Sequence, residues 1–206
     1  IQIDVVDGRF ASPASWPFNI AGEPGTKSDL VPGEMLPYLD RINYEVDLMC
    51  IDAESAAEEW LALGASRLTF HAESDTNIPR LLGAVRRRFG ADYNLLSFGI
   101  ALNIESDPAL IESSLEYINY VQFMGIARIG RQGQPFDKRV LNKVRAFHSR
   151  HQQMPIQVDG GVSIENAKEL LAAGATNLVV GSGILRSADP AAALAALEAL
   201  RSPYGV

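Results

Sequence analysis

Residues 155–163 read PIQVDGGVS and residues 177–183 read NLVVGSG, and these two stretches decide the fold. Each opens as a short apolar run of strand type and closes in a glycine-bearing turn. Between them, residues 164–173 carry a helical period, with Ser163 placed to cap the helix and Gly174 placed to stop it. Strand, turn, helix and strand make a βα unit, which builds a parallel sheet. Gly160 and Gly161 after Asp159 let backbone come close to a ligand, and the amides of the helix capped by Ser163 point at the same spot. Gly181 and Ser182 supply a second turn of this kind. Together they match the phosphate cradle that parallel barrels build from their last two βα loops.

The same alternation runs outward to the start of the chain. Strands are expected at 1–6, 44–50, 67–72, 96–102, 119–125, 155–159 and 177–181, and helices at 53–63, 78–89, 108–117, 137–151, 164–173 and 190–201. Asp107-Pro108 and Asp189-Pro190 read as N-cap plus first-turn proline, and Gly64, Gly90 and Gly174 fall where helices should end. Residues 9–39, rich in Pro and Gly, read as a long loop over one end of the sheet with a weak helical patch at 35–42. The expected architecture is a single-domain TIM (β/α)8 barrel over residues 1–206. A strand at the very first position predicts that one βα unit is missing ahead of Ile1, and that unit would bring the chain near the roughly 250 residues of an eight-stranded barrel. The alternative is an open doubly wound sheet, but no GxGxxG follows the first strand.

Composition narrows the function classes. Of 206 residues, 47% are hydrophobic and 21% charged, enough for a sizeable core and unlike a disordered chain. Twenty-five acidic against 18 basic residues leave a net charge of -7, which disfavours a nucleic-acid partner. No stretch approaches the ~20 apolar residues of a membrane helix, no signal peptide opens the chain, and the single Cys50 has no internal disulfide partner. A cytoplasmic, reducing compartment is expected.

In a parallel barrel the strand C-termini form the active face. Asp4 and Asp7 end the first strand, and alternation puts Asp4 on the face of Gln2 and opposite Ile3 and Val5. Asp47 and Met49 share a face of the second strand, His71 and Glu73 of the third, Met124 lies on the fifth and Asp159 ends the sixth. Carboxylates from at least three strands are thus expected at one mouth. Asp7 reads equally as a turn cap, and His71 as a structural histidine. His148 and His151 are expected to be solvated on a polar helix end. The loop from Gly130 to Gln134, with Gly133, would fold over a ligand, and Arg128 and Arg131 there would add charge to it or face solvent.

These residues have a precedent. Ile3-Asp4-Val5-Val6-Asp7-Gly8, Asp47-Leu48-Met49, His71-Ala72-Glu73, the Met124 strand with its Gly-Gln loop, Val158-Asp159-Gly160-Gly161-Val162 and Gly181-Ser182 stand in the order found in ribulose-phosphate 3-epimerases, and the chain resembles that family over essentially its whole length. The resemblance implies a TIM barrel, carbohydrate metabolism of the pentose phosphate kind, and an isomerase that interconverts ketose phosphates such as D-ribulose 5-phosphate and D-xylulose 5-phosphate. It implies that Asp4 and Asp159 act as acid and base on opposite faces of the sugar through an enediolate, beside Met49, Met124 and His71, with the phosphate at Gly130, Gly133, Gly160, Gly161, Gly181 and Ser182. In the family a divalent metal is held by these two aspartates and two histidines. Here the histidine positions are Gln2 and Asp47, an all-oxygen set with Asp4 and Asp159 that suits Mg²⁺ or Mn²⁺ better than Zn²⁺, or no metal. Val6 replaces an expected methionine, and the loop after Met124 lacks the family's Asn-Pro-Gly start.

Two other readings remain open: a phosphosugar-binding barrel without catalysis, and a barrel isomerase or lyase for another phosphorylated metabolite. The expected partner in every case is a small phosphorylated sugar, and a homo-oligomer is compatible with the fold.

Overall fold

The computed structural model describes residues 1–18, 35–90 and 95–200. Seven strands alternate with helices: β1 (Gln2–Val6), β2 (Glu45–Met49), α1 (Ala53–Ala62), β3 (Arg67–His71), α2 (Ile78–Phe89), β4 (Ser97–Leu102), a 3₁₀ helix (Pro108–Tyr117), β5 (Tyr120–Met124), α3 (Arg139–Arg150), β6 (Ile156–Asp159), α4 (Ile164–Ala173), β7 (Asn177–Val179), α5 (Ser182–Leu185) and α6 (Pro190–Glu198). All the pairings are parallel and strictly sequential, β1 through β7. A doubly wound sheet would reverse its strand order at a switch point. None occurs here, so the barrel reading stands.

The sheet curls so that β6 faces β1 and β3 across a lumen. Arg67 on β3 donates to Gln157 Oε1 on β6 at 3.2 Å, and Gln157 Nε2 donates to Gln2 Oε1 on β1 at 3.3 Å. These are cross-lumen contacts that a flat sheet cannot make. Among the described residues, no ladder joins β7 to β1.

Strand alternation separates two interiors. Val46, Leu48, Leu68, Phe70, Ile100, Leu102, Val121, Phe123, Ile156 and Val158 pack outward against the helices with Trp60, Leu81, Val144, Phe147 and Leu170. The inward positions are largely polar and equally buried: Glu45, Asp47, Thr69, His71, Gln122 and Gln157. Such groups are tolerated in a low-dielectric lumen only if they bond one another. Glu45 accordingly accepts from Arg67 Nε at 2.9 Å, from Thr69 Oγ1 at 3.0 Å and from Gln157, and Gln157 Nε2 also donates to Gln122 Oε1 at 2.7 Å.

Boundary chemistry follows the sequence closely. The Asp107 and Asp189 side chains accept from the Ala109 and Ala192 amides, each with its proline in the first turn. Three expectations change. Residues 108–117 form a 3₁₀ helix because Ile111, Ser114 and Tyr117 turn inward at a spacing of three, the period of that helix. Residues 35–42 hold hydrogen-bonded turns, the amides of Arg41 and Ile42 both donating to Tyr38 O, in place of the weak helix. His148 and His151 are half-buried, with His151 Nε2 3.3 Å from Glu112, so neither is simply solvated. Part of the long loop expected at 9–39, residues 19–34, lies outside the described residues, as does the last residue of the helix expected at 190–201.

Candidate active site

β-strand register sets the site. Asp4 pairs with Asp47 on the neighbouring strand, and Met124 pairs with Asp159, so each pair stands side by side within the sheet. Curling brings Asp159 round to the first two: one carboxylate oxygen from each of Asp4, Asp47 and Asp159 lies within 4.8 Å of the others.

Three carboxylates this close cannot all be charged without compensation. Burial, with the Asp47 charge beside it, pushes Asp4 up to about 6. Burial and the charges of Asp4 and Asp47 hold Asp159 well above the usual carboxylate range. Asp47 is compensated directly. Its Oδ1 is 2.9 Å from His71 Nε2 and its Oδ2 accepts from Gln122 Nε2 at 2.9 Å, with all three side chains wholly buried. Burial alone would lower the His71 pKa, but the Asp47 charge and hydrogen bond outweigh it, so the imidazole is held above its usual value.

Asp4 and Asp159 line one cavity of about 100 Å³ with Gln2, Met49 and Met124 on its floor. Gly160, Gly161, Gly181 and Ser182 form one wall, and Gly130 and Gly133 form the other. The conformation at Gly160 and Gly161 requires glycine, with φ +100° and +67°, and a Cβ on Gly161 would lie 2.8 Å from the Phe136 backbone. Gly181 differs: its φ is ordinary and a Cβ there would meet nothing within 4 Å. Packing does not demand that glycine, which lines the cavity. The Ser163 amide donates to Asn166 Oδ1 at 2.9 Å, fixing the start of α4 behind this wall.

His71 and Asp47 do not line this cavity; they form a buried pair beneath it. Gln2 turns its amide nitrogen to Asp4 Oδ1, 3.3 Å away, and its oxygen to Gln157, so it presents no oxygen donor to the three carboxylates. Asp7 is a loop cap: its carboxylate accepts from the amides of Arg9, Phe10 and Ile51 at 2.8–2.9 Å. The polar partners Gln122, Gln157, Glu45 and Thr69 were not singled out in the sequence. The signal that would have found them is the polar-inward alternation of Tyr120, Gln122 and Met124 on β5.

The donor set of Asp4, Asp47 and Asp159 is all oxygen, and it suits a hard divalent cation rather than zinc.

A parallel barrel gathers three carboxylates and several glycine-bearing turns at its strand ends. The chain belongs to the ribulose-phosphate 3-epimerase family, whose profile matches residues 1–185. It is 29% identical over 212 residues to the chloroplastic ribulose-5-phosphate-3-epimerase of Arabidopsis thaliana, covering 100% of this chain and 69% of that protein. It is 27% identical over 204 residues to the ribulose-phosphate 3-epimerase of Aquifex aeolicus, covering 97% and 83%. Among solved structures, a ligand complex of KGPDC from Streptococcus mutans superposes with a TM-score of 0.62 at 18% identity, covering 78% of this chain and 72% of that one. The 3-hexulose-6-phosphate synthase of Salmonella typhimurium superposes at 0.61 and 17%, covering 78% and 73%. These neighbours establish the TIM-barrel fold. Family membership supports an enzyme of epimerase or isomerase type. No helix among the described residues is long and apolar enough to cross a membrane.

Proposed function

We propose that the protein epimerises a phosphorylated ketose at C3, with Asp4 as base and Asp159 as acid. The observation that carries this reading is that the carboxylates of Asp4 on β1 and Asp159 on β6 line one cavity, each with its pKa pushed upward by burial. Paired groups whose surroundings separate their proton affinities divide the acid and base roles between them. At neutral pH, Asp4 is ionised and takes the proton from C3, which the neighbouring C2 carbonyl acidifies. The C–H electron pair moves into a C2–C3 double bond and the carbonyl π pair onto its oxygen. Asp159, whose proton affinity is raised by burial and by the neighbouring Asp4 and Asp47 charges, returns a proton to C3 from the opposite face as the carbonyl re-forms. The reverse reaction, or exchange with water, resets the pair.

Met49 and Met124 supply a soft apolar floor that keeps water from the planar intermediate. Backbone amides around Gly160, Gly161 and Gly181 bind the phosphate and so fix C3 between the two aspartates. Asp4, Asp47 and Asp159 would hold a hard divalent cation, which when bound supplies positive charge to the enediolate oxygens. His71 and Gln122 orient Asp47 for that task. The test is solvent proton exchange at C3 of D-ribulose 5-phosphate, compared among the wild type, Asp4→Asn and Asp159→Asn. Exchange that persists in both variants would overturn the assignment.

A further inference from the structure

The loop after β5 has two sides. One closes the catalytic cavity; the other lines a second and wider cavity of about 460 Å³, bounded by Phe10, Asn103, Glu105, Ser106, Arg128 and Arg131 among others. Arg131 belongs to both cavities, so the two spaces meet at its side chain, and its Nε is anchored to Ser12 O at 3.3 Å. Nothing in the two-aspartate mechanism uses this second space.

Its chemistry is one-sided. In a chain of net charge -7, Arg128 and Arg131 have no carboxylate partner among the described residues. The single acid on the cavity wall, Glu105, is taken up by Arg139 at 2.7 Å. The Asn103 side-chain oxygen is buried at the wall without a hydrogen-bond partner among the described residues, although acceptors in such positions are normally satisfied. Two guanidinium groups without a carboxylate call for an oxyanion, and a buried orphan acceptor calls for a hydroxyl.

Resting on the epimerase reading, we propose that this cavity is the second anchor of the substrate, so that the molecule turned over is a sugar with an anionic group at each end. Its phosphate would sit in the glycine cradle, and its far end, a second phosphate or a carboxylate, would pass Arg131 to reach Arg128, with a hydroxyl on Asn103. A five-carbon ketose monophosphate leaves the second anchor unused. Arg131 then reads out both halves of the ligand, and Arg128 only the far one.

Calorimetric titration of the intact chain against two matched pairs tests this: D-ribulose 1,5-bisphosphate with D-ribulose 5-phosphate, and 6-phospho-D-gluconate with D-glucitol 6-phosphate. The account predicts that in at least one pair the member with two anionic groups binds about tenfold more tightly or better, the value of one charge-assisted contact. Preference in the first pair would identify a phosphate at the far end, and preference in the second a carboxylate. In Arg128→Ala, an exposed position, that ratio should fall to within about twofold of unity. A ratio near one in the wild type, or a ratio that Arg128→Ala leaves intact, would overturn the second anchor while leaving the epimerase reading in place. Failure of all four ligands to bind would overturn both.

Discussion

His71 Nε2 lies 2.9 Å from Asp47 Oδ1, and neither side chain has any exposure to solvent. Where the family carries a histidine at the mouth, this chain places a carboxylate and turns the histidine of the next strand onto it. The charge of Asp47 is therefore answered from within the barrel, and Gln122 Nε2 donates to its other oxygen at 2.9 Å.

Removing His71 should therefore unfold more than it disables. His71→Ala leaves Asp47 buried beside Asp4 with its charge unanswered, a change worth about 3 kcal/mol or more. Urea denaturation read by far-UV circular dichroism measures it. A loss below about 1 kcal/mol would show that the pair is not holding the lumen together.

Stability should fall as pH rises. Asp4 binds its proton more tightly in the folded chain, at about 6 against roughly 3.9 unfolded, so the folded state holds more protons and loses stability between about pH 4 and 6. His71, also raised, contributes stability below its unfolded pKa that is lost as pH climbs through its folded one, which has the same sign. In metal-free buffer the chain should be more stable at pH 5 than at pH 8, and Asp4→Asn should remove about 1–1.5 kcal/mol of that difference. Stability that climbs steadily from pH 5 to pH 8 would contradict the assignment.

Glycines in the cradle should separate into two kinds. Gly181→Ala meets no neighbour, so its melting temperature should match the wild type while affinity for a sugar phosphate drops about tenfold as the methyl group fills the ligand's place. Gly161→Ala is strained by its positive φ and by Phe136, and should destabilise the fold by about 1–3 kcal/mol. Equal effects on stability would show that the opening at Gly181 has no role in binding.

An oxygen-only donor set should discriminate among cations. Titration of metal-free protein followed by calorimetry should give Mn²⁺ or Mg²⁺ binding that Asp47→Asn weakens, and Zn²⁺ binding weaker than a site with imidazole ligands would show. Tight stoichiometric zinc would contradict this donor set.

Much of this site was legible before any coordinates. The PIQVDGGVS and NLVVGSG stretches located two glycine-bearing turns that line the cavity, because glycine and strand patterns are local, and period-two alternation put Asp4 inward with Gln2. The part of His71 was not legible, since its bond to Asp47 depends on how two strands are staggered and how far the sheet curls. The 3₁₀ helix was missed for a related reason: an inward spacing of three at the buried Ile111 and Ser114 and the half-buried Tyr117 resembles a helical period until packing selects between them. The second cavity arises between loops that sequence alone does not bring together.

The most direct test of the central claim follows the C3 proton of D-ribulose 5-phosphate by NMR in D₂O, with and without added Mn²⁺ or Mg²⁺. Two-aspartate catalysis predicts deuterium incorporation at C3 with conversion to the 3-epimer, falling by about 10²–10⁴-fold in Asp159→Asn and in Asp4→Asn. No exchange under any condition, from protein that still binds the sugar phosphate, would contradict it and leave a phosphosugar-binding barrel.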